Sequence, residues 1–139
     1  CEGLVGSEMC IRDSYEAVQV GIKYKNEPAS NLHQHYGDMS PVHSLNNLAV
    51  VVWAFLSFQD SFDEAIGETI CCGWDTDCTG ATVGGLLGLD IGAIPESWTS
   101  PWQGRVQTAI AGVGELDLDS LVKRTCVLVD KFSSVADLS

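Results

Sequence analysis

Basic residues are scarce in this chain. Seven Lys and Arg stand against 19 Asp and Glu, for a net charge of −12 over 139 residues. Nucleic-acid binding needs a basic footprint on the phosphates, so that class of partner is disfavoured. The imbalance peaks between Asp60 and Asp119, where eleven acids face one base, Arg105. Most of these acids read as a solvated surface; the sharper alternative is that some of them collect divalent cations. Long hydrophobic runs are missing too. The longest, residues 48–58, falls far short of the ~20 residues that a membrane span requires, so no membrane partner is expected. No basic segment followed by an apolar one marks a signal peptide. Six Cys are present but no CxxC, which disfavours a structural zinc site. Cys71 and Cys72 are adjacent and Cys78 is close by, so no regular disulfide framework emerges. Reduced thiols and a cytoplasmic location are the expectation. The phosphate-loop pattern GxxxxGK[ST] is absent, and so is any Asp-Asp pair.

What is present is a chain long enough for one domain with a substantial core, 45% hydrophobic, in which helix-compatible apolar runs dominate. It begins at Cys1 rather than Met. Residues 1–14, CEGLVGSEMCIRDS, share no period with the rest of the chain and resemble adapter sequence read as protein. They are set apart as a non-native leader, with 15–139 as the functional segment. Residues 15–25 suit a helix with Ala17, Val18 and Ile22 as its stripe and Gly21 as a weak point. Residues 26–41 are rich in turn formers and read as a loop. Its His33 and His35 form an i, i+2 pair that admits metal but is commoner as exposed histidine. Residues 42–58 read as a buried helix with Ser44 as N-cap, length outweighing the strand preference of its β-branched run. Asn46 and Asn47 are unusual there; they cap the helix start or hold a neighbouring loop, with capping the favoured reading. Ser61-Phe62-Asp63-Glu64 is a capping box that opens a helix ending at Cys72–Gly73. A helix over 79–89 carries Gly80, Gly84, Gly85 and Gly88. Each glycine costs about 1 kcal/mol relative to Ala, and close approach to a neighbouring helix is the reason that accounts for them. Residues 92–102 are turn-rich, and 105–118 read as a short strand or irregular. Asp119 is expected to cap a last helix over 120–132, with a frayed tail after it.

Between those helices lies Asp75-Thr76-Asp77. Two aspartates at i, i+2 can converge on one ion only in a turn that enters a helix. Their oxygens are the donors that Mg²⁺ and Ca²⁺ prefer. The bland alternative is a helix start with solvated acids, and the pair by itself is weak support for metal.

The surroundings strengthen it. The stretch GWDTDCTGAT at 73–82, with Ile94-Pro95 and Trp98 after it, resembles the C-terminal signature of the ADP-ribosylglycohydrolase family, G-G-D-T-D-[TS] then a small-residue helix, I-P and W. The likeness spans roughly 42–125. It implies an all-α helical bundle of the ADP-ribosylglycohydrolase type, present here as its C-terminal part. It also implies a site for two Mg²⁺ ions and hydrolysis of the glycosidic bond between ADP-ribose and a protein side chain or other acceptor. Carried over by position, Asp75 and Asp77 match metal-binding and catalytic aspartates, and Cys78 falls at the third ligand, usually a Thr or Ser hydroxyl. Trp74 replaces the second Gly, as in a branch of the family that is similar in reading GWDTDC. Soft sulfur suits Mg²⁺ poorly. The family's [ST]-D-D motif and the acid that handles the attacking water have no counterpart in this sequence, so the chain by itself is expected to be inactive. In the intact enzyme the ions would bind the distal ribose hydroxyls and help water attack the anomeric carbon. The implied partner is an ADP-ribosylated protein or small ADP-ribosyl substrate. A non-catalytic structural or ADP-ribose-binding relative is the alternative. A Cys-based hydrolase using Cys72 or Cys78 lacks a recognisable His partner and ranks third.

Overall fold

The apolar run expected to be a buried helix does form one, α3 (Ser44–Ser57), and the neighbouring helices pack around it. This computed structural model describes residues 6–136, with side chains over 12–132. The chain divides into two compact units, Cys1–Ile94 and Pro95–Ser139. The first holds α1 (Gly6–Lys23), α2 (Ser30–Tyr36), α3, α4 (Phe62–Cys72) and α5 (Thr76–Ile91). The second holds α6 (Glu96–Thr99), a 3₁₀ turn (Ser100–Trp102), β1 (Arg105–Gln107), β2 (Glu115–Asp117) and α7 (Leu118–Ala136). The fold class is all-α with one small hairpin, as the sequence led one to expect.

In the first unit α3 packs against α1, α2, α4 and α5. Val50, Trp53 and Ala54 on it are fully buried, together with Leu32 of α2, Ala65 of α4 and Leu87 of α5. Trp53 satisfies its indole by donating Nε1–H to the Glu27 carbonyl at 2.9 Å, so a large apolar side chain is buried with no polar cost. Helix α1 begins nine residues before the one expected at Tyr15 and presents Ala17, Val20 and Gly21 inward; Ile22 is exposed. Gly21 is the contact point with α3 rather than a weak spot. A Cβ there would lie 2.7 Å from Val52 Cβ and 2.8 Å from the Ala49 carbonyl oxygen.

Helix α2 falls in the segment expected to be a loop. Its sequence, SNLHQHY, is poor in strong helix formers, but Leu32 and Tyr36 lie four residues apart and both are buried, so tertiary packing overrides propensity. The cap of α3 is His43, whose Nδ1 accepts from Leu45 N–H at 3.2 Å, not Ser44. Ser61 caps α4 as expected, accepting from Glu64 N–H, and Gly73 ends it at φ +81°.

Helix α5 starts three residues earlier than expected, at Thr76. Its glycines let α4 approach. A Cβ on Gly80 would meet Ile70 Cδ1 at 2.8 Å, and one on Gly84 would meet Ile66 Cδ1 at 3.3 Å. Gly88 faces Ile94, and Gly85 faces open space.

In the second unit, β1 and β2 pair antiparallel with Val106 opposite Leu116. An Arg105–Glu115 ion pair lies across them. The cap of α7 is Asp117, whose carboxylate accepts from Ser120 N–H at 2.8 Å, rather than Asp119. That helix continues to Ala136, past the point where fraying was expected. Among the described residues no helix is long and apolar enough to cross a membrane.

Candidate metal centre

The turn between α4 and α5 carries the acids. Gly73 and Trp74 both take positive φ, +81° and +60°, and this reverses the chain sharply into α5. Trp74, with a bulky side chain in a conformation that favours glycine, is held by two rings of α2. His33 lies 4.2 Å away, centroid to centroid, and Tyr36 lies 6.4 Å away edge-on. His33 also donates Nε2–H to the Cys72 carbonyl at 2.7 Å, tying α2 to the end of α4. The two loop histidines of the sequence reading therefore part company. His33 braces the turn, while His35 packs edge-on to Tyr24 and Tyr36.

Asp75 takes the N-cap position of α5, yet its side chain accepts no capping bond from the helix. Its backbone carbonyl accepts from both the N–H and the hydroxyl of Thr79, each at 3.0 Å. The carboxylate is thus left for other work. Asp77 follows in the first helical turn and Cys78 after it; ligand atoms of the three lie within 4.8 Å of one another. Asp75 is half-buried, and Asp77 and Cys78 are exposed. The Asp77 carboxyl is held below the usual range first by a hydrogen bond with Asp75, then by the N–H groups of Asp77 and Cys78. The same carboxylates push the Cys78 thiol up, through a hydrogen bond with Asp75, the Asp75 charge, desolvation and the Asp77 charge.

This donor set can be tested against the ion that the resemblance implies. Two convergent carboxylates fit a hard divalent cation such as Mg²⁺. The Cys78 sulfur does not, because it is a softer donor than a hard cation prefers. The Cys-based alternative fares worse. Cys72 Sγ lies 3.9 Å from His33 Nε2, but that nitrogen is spent on a carbonyl, and burial, with Glu68 adding to it, pushes the thiol up to about 11.

The structure gives the Asn pair the loop-holding role that ranked second to capping. Asn46 Nδ2 donates to the Ser40 carbonyl, and Asn47 Nδ2 donates to the carbonyls of Pro41 and His43. Asn47 Oδ1 accepts from Asp75 N–H at 3.3 Å, across 28 residues of sequence. An Asn pair inside an apolar helix was the available signal; nothing in the sequence pointed to the bond between His33 and the Cys72 carbonyl. A groove of about 210 Å³ between α3 and α5, lined by Asn47, Leu48, Val51, Cys78 and Thr82 among others, opens beside the acids.

No curated protein and no solved structure matches the chain. The family model described as ADP-ribosylglycohydrolase matches residues 5–132. That family is generally hydrolytic and generally metal-dependent, and acts on ADP-ribosylated substrates. With the match covering most of the sequence and the aspartate turn opening α5, the chain belongs to the ADP-ribosylglycohydrolase family.

Proposed function

We propose that this chain forms part of a Mg²⁺-dependent hydrolase that cleaves the glycosidic bond between ADP-ribose and a protein side chain or another acceptor. The observation that carries the reading is the Asp75–Asp77 pair, whose oxygens converge at the start of α5 while Asp75 is left unused as a cap. Bound there, a divalent cation supplies Lewis acidity toward water and a hold on sugar hydroxyls. Asp75 and Asp77 are the residues that hold it. Asp77 retains its charge into acid, since its folded pKa is lowered. Cys78 completes the ligand positions as the weakest donor of the three.

Two carboxylates do not fill an octahedral shell, and a site for two ions needs more. No Asp-Asp pair occurs in the 139 residues. The remaining ligands, and the acid that handles the attacking water, therefore belong to residues outside this sequence, and the chain alone is inactive. The partner is an ADP-ribosylated protein or a small ADP-ribosyl compound, in the cytoplasm, where thiols stay reduced.

Asp75→Asn and Asp77→Asn should each abolish Mg²⁺ binding in calorimetry, and abolish ADP-ribose release by a protein that carries the remaining ligands. Unchanged turnover in Asp75→Asn defeats the assignment. The soft sulfur at Cys78 favours a second reading, a non-catalytic ADP-ribose-binding or structural relative. That reading predicts ADP-ribose binding independent of Mg²⁺ and no turnover in the completed protein.

A further inference from the structure

We propose that Asn47 is a positioning residue for the carboxylate pair: it offers no ligand itself but fixes the Asp75 backbone so that Asp75 and Asp77 converge. The inference rests on the reading of those two aspartates as cation ligands.

The side-chain amide of Asn47 has its orientation dictated from one side. Nδ2 donates to the carbonyls of Pro41 and His43, both at 2.9 Å, and a carbonyl can only accept. The opposite atom, Oδ1, therefore faces the turn as an acceptor, and there it meets Asp75 N–H at 3.3 Å. Asn46 steadies the arrangement from below, its Oδ1 accepting from Asn47 N–H at 3.0 Å and its Nδ2 tied to Ser40. On the other side of Asp75, Thr79 holds the carbonyl twice. Both backbone groups of Asp75 are thus fastened, and its carboxylate is aimed at Asp77 and Cys78. The fastening matters because the two preceding residues carry positive φ and Trp74 is not glycine. A turn under such strain relaxes unless its surroundings over-determine it. Partners that orient metal ligands without touching the ion typically change its affinity by about 10–100-fold.

The test uses the ¹⁵N-labelled chain, with amide exchange at Asp75 as one readout and Mn²⁺ line broadening at Asp75 and Asp77 as the other. In Asn47→Ala the Asp75 amide should exchange several-fold faster, with Val83 and Leu87 unchanged, and Mn²⁺ affinity should fall about tenfold. Wild-type exchange at Asp75 in that variant overturns the proposal, and so does faster exchange with undiminished Mn²⁺ affinity. A wild-type chain that shows no Mn²⁺ broadening fails at an earlier step and overturns the cation reading itself. Should Asn47→Ala not fold, Asn47→Ser removes the amide and keeps a small polar side chain. Faster exchange at Asp75 with weaker Mn²⁺ broadening there supports the proposal, and wild-type values of both overturn it.

Discussion

Cys78 puts a soft sulfur where an oxygen would serve Mg²⁺ better. Cys78→Thr replaces it with a hydroxyl donor at the same position on α5. The expected outcome is tighter Mg²⁺ binding and weaker Cd²⁺ binding in calorimetry. Unchanged affinities for both would remove Cys78 from the ligand set. Cys72 illustrates the opposite environment. It is buried, and its thiol is pushed up to about 11, so the thiolate needed for alkylation is almost absent at neutral pH. Peptide mapping after brief iodoacetamide treatment of the folded protein should find exposed Cys71 and Cys126 labelled and Cys72 spared. Early labelling of Cys72 would mean that the α2–α4 contact opens readily.

Glycine has opposite meanings at Gly21 of α1 and Gly85 of α5. Gly21 lies against α3, where the atoms a Cβ would strike include the Ala49 carbonyl oxygen, which cannot swing aside. Gly21→Ala should destabilise the protein by about 1–3 kcal/mol through overpacking. Gly85 faces open space within α5, so Gly85→Ala should stabilise by up to about 1 kcal/mol through helix propensity. Chemical denaturation measures both, and a shift of the same sign in the two variants would sink the distinction. At α7, Asp117 has its folded pKa lowered first by its hydrogen bonds to Ser120. A depressed carboxylate pKa contributes stability above the unfolded value, and that stability is lost as pH falls through the folded one. The Ser120 amide should therefore be better protected in wild type than in Asp117→Ala at neutral pH, and the two should converge in acid. The long elements were legible because their apolar periods run for three turns or more. Helix α2 was not: its signal is only the Leu32–Tyr36 pair, within polar residues that suit a loop equally well. The caps of α3 and α7 slipped by one or two residues because His43 and Asp117 compete with the equally suitable Ser44 and Asp119, and only coordinates decide between them.

At the scale of the whole chain, the aspartate turn was readable from local sequence, whereas its supports were not. His33 and Asn47 reach it from 39 and 28 residues away, and no spacing rule encodes such contacts. Those supports share a unit with the acids. Every residue buried among the described ones, from Ala17 to Leu87, lies in Cys1–Ile94, while none between Pro95 and Phe132 is buried. The second unit is one two-stranded hairpin with short helical turns and a single long helix. An isolated hairpin is marginal in water, and so is a helix without a packed face. Cooperative unfolding requires a shared core, which among the described residues only the first unit contains. Residues 1–94 expressed alone should therefore keep a sigmoidal thermal transition by circular dichroism, and residues 95–139 alone should lose ellipticity gradually. Because Asp75, Asp77 and Asn47 all fall within 1–94, the shortened chain should also retain the cation affinity of the longer one. A sigmoidal transition in 95–139 would give that unit a core of its own, and loss of Mn²⁺ broadening from a folded 1–94 would show that the carboxylates depend on more than α2, α3 and α5.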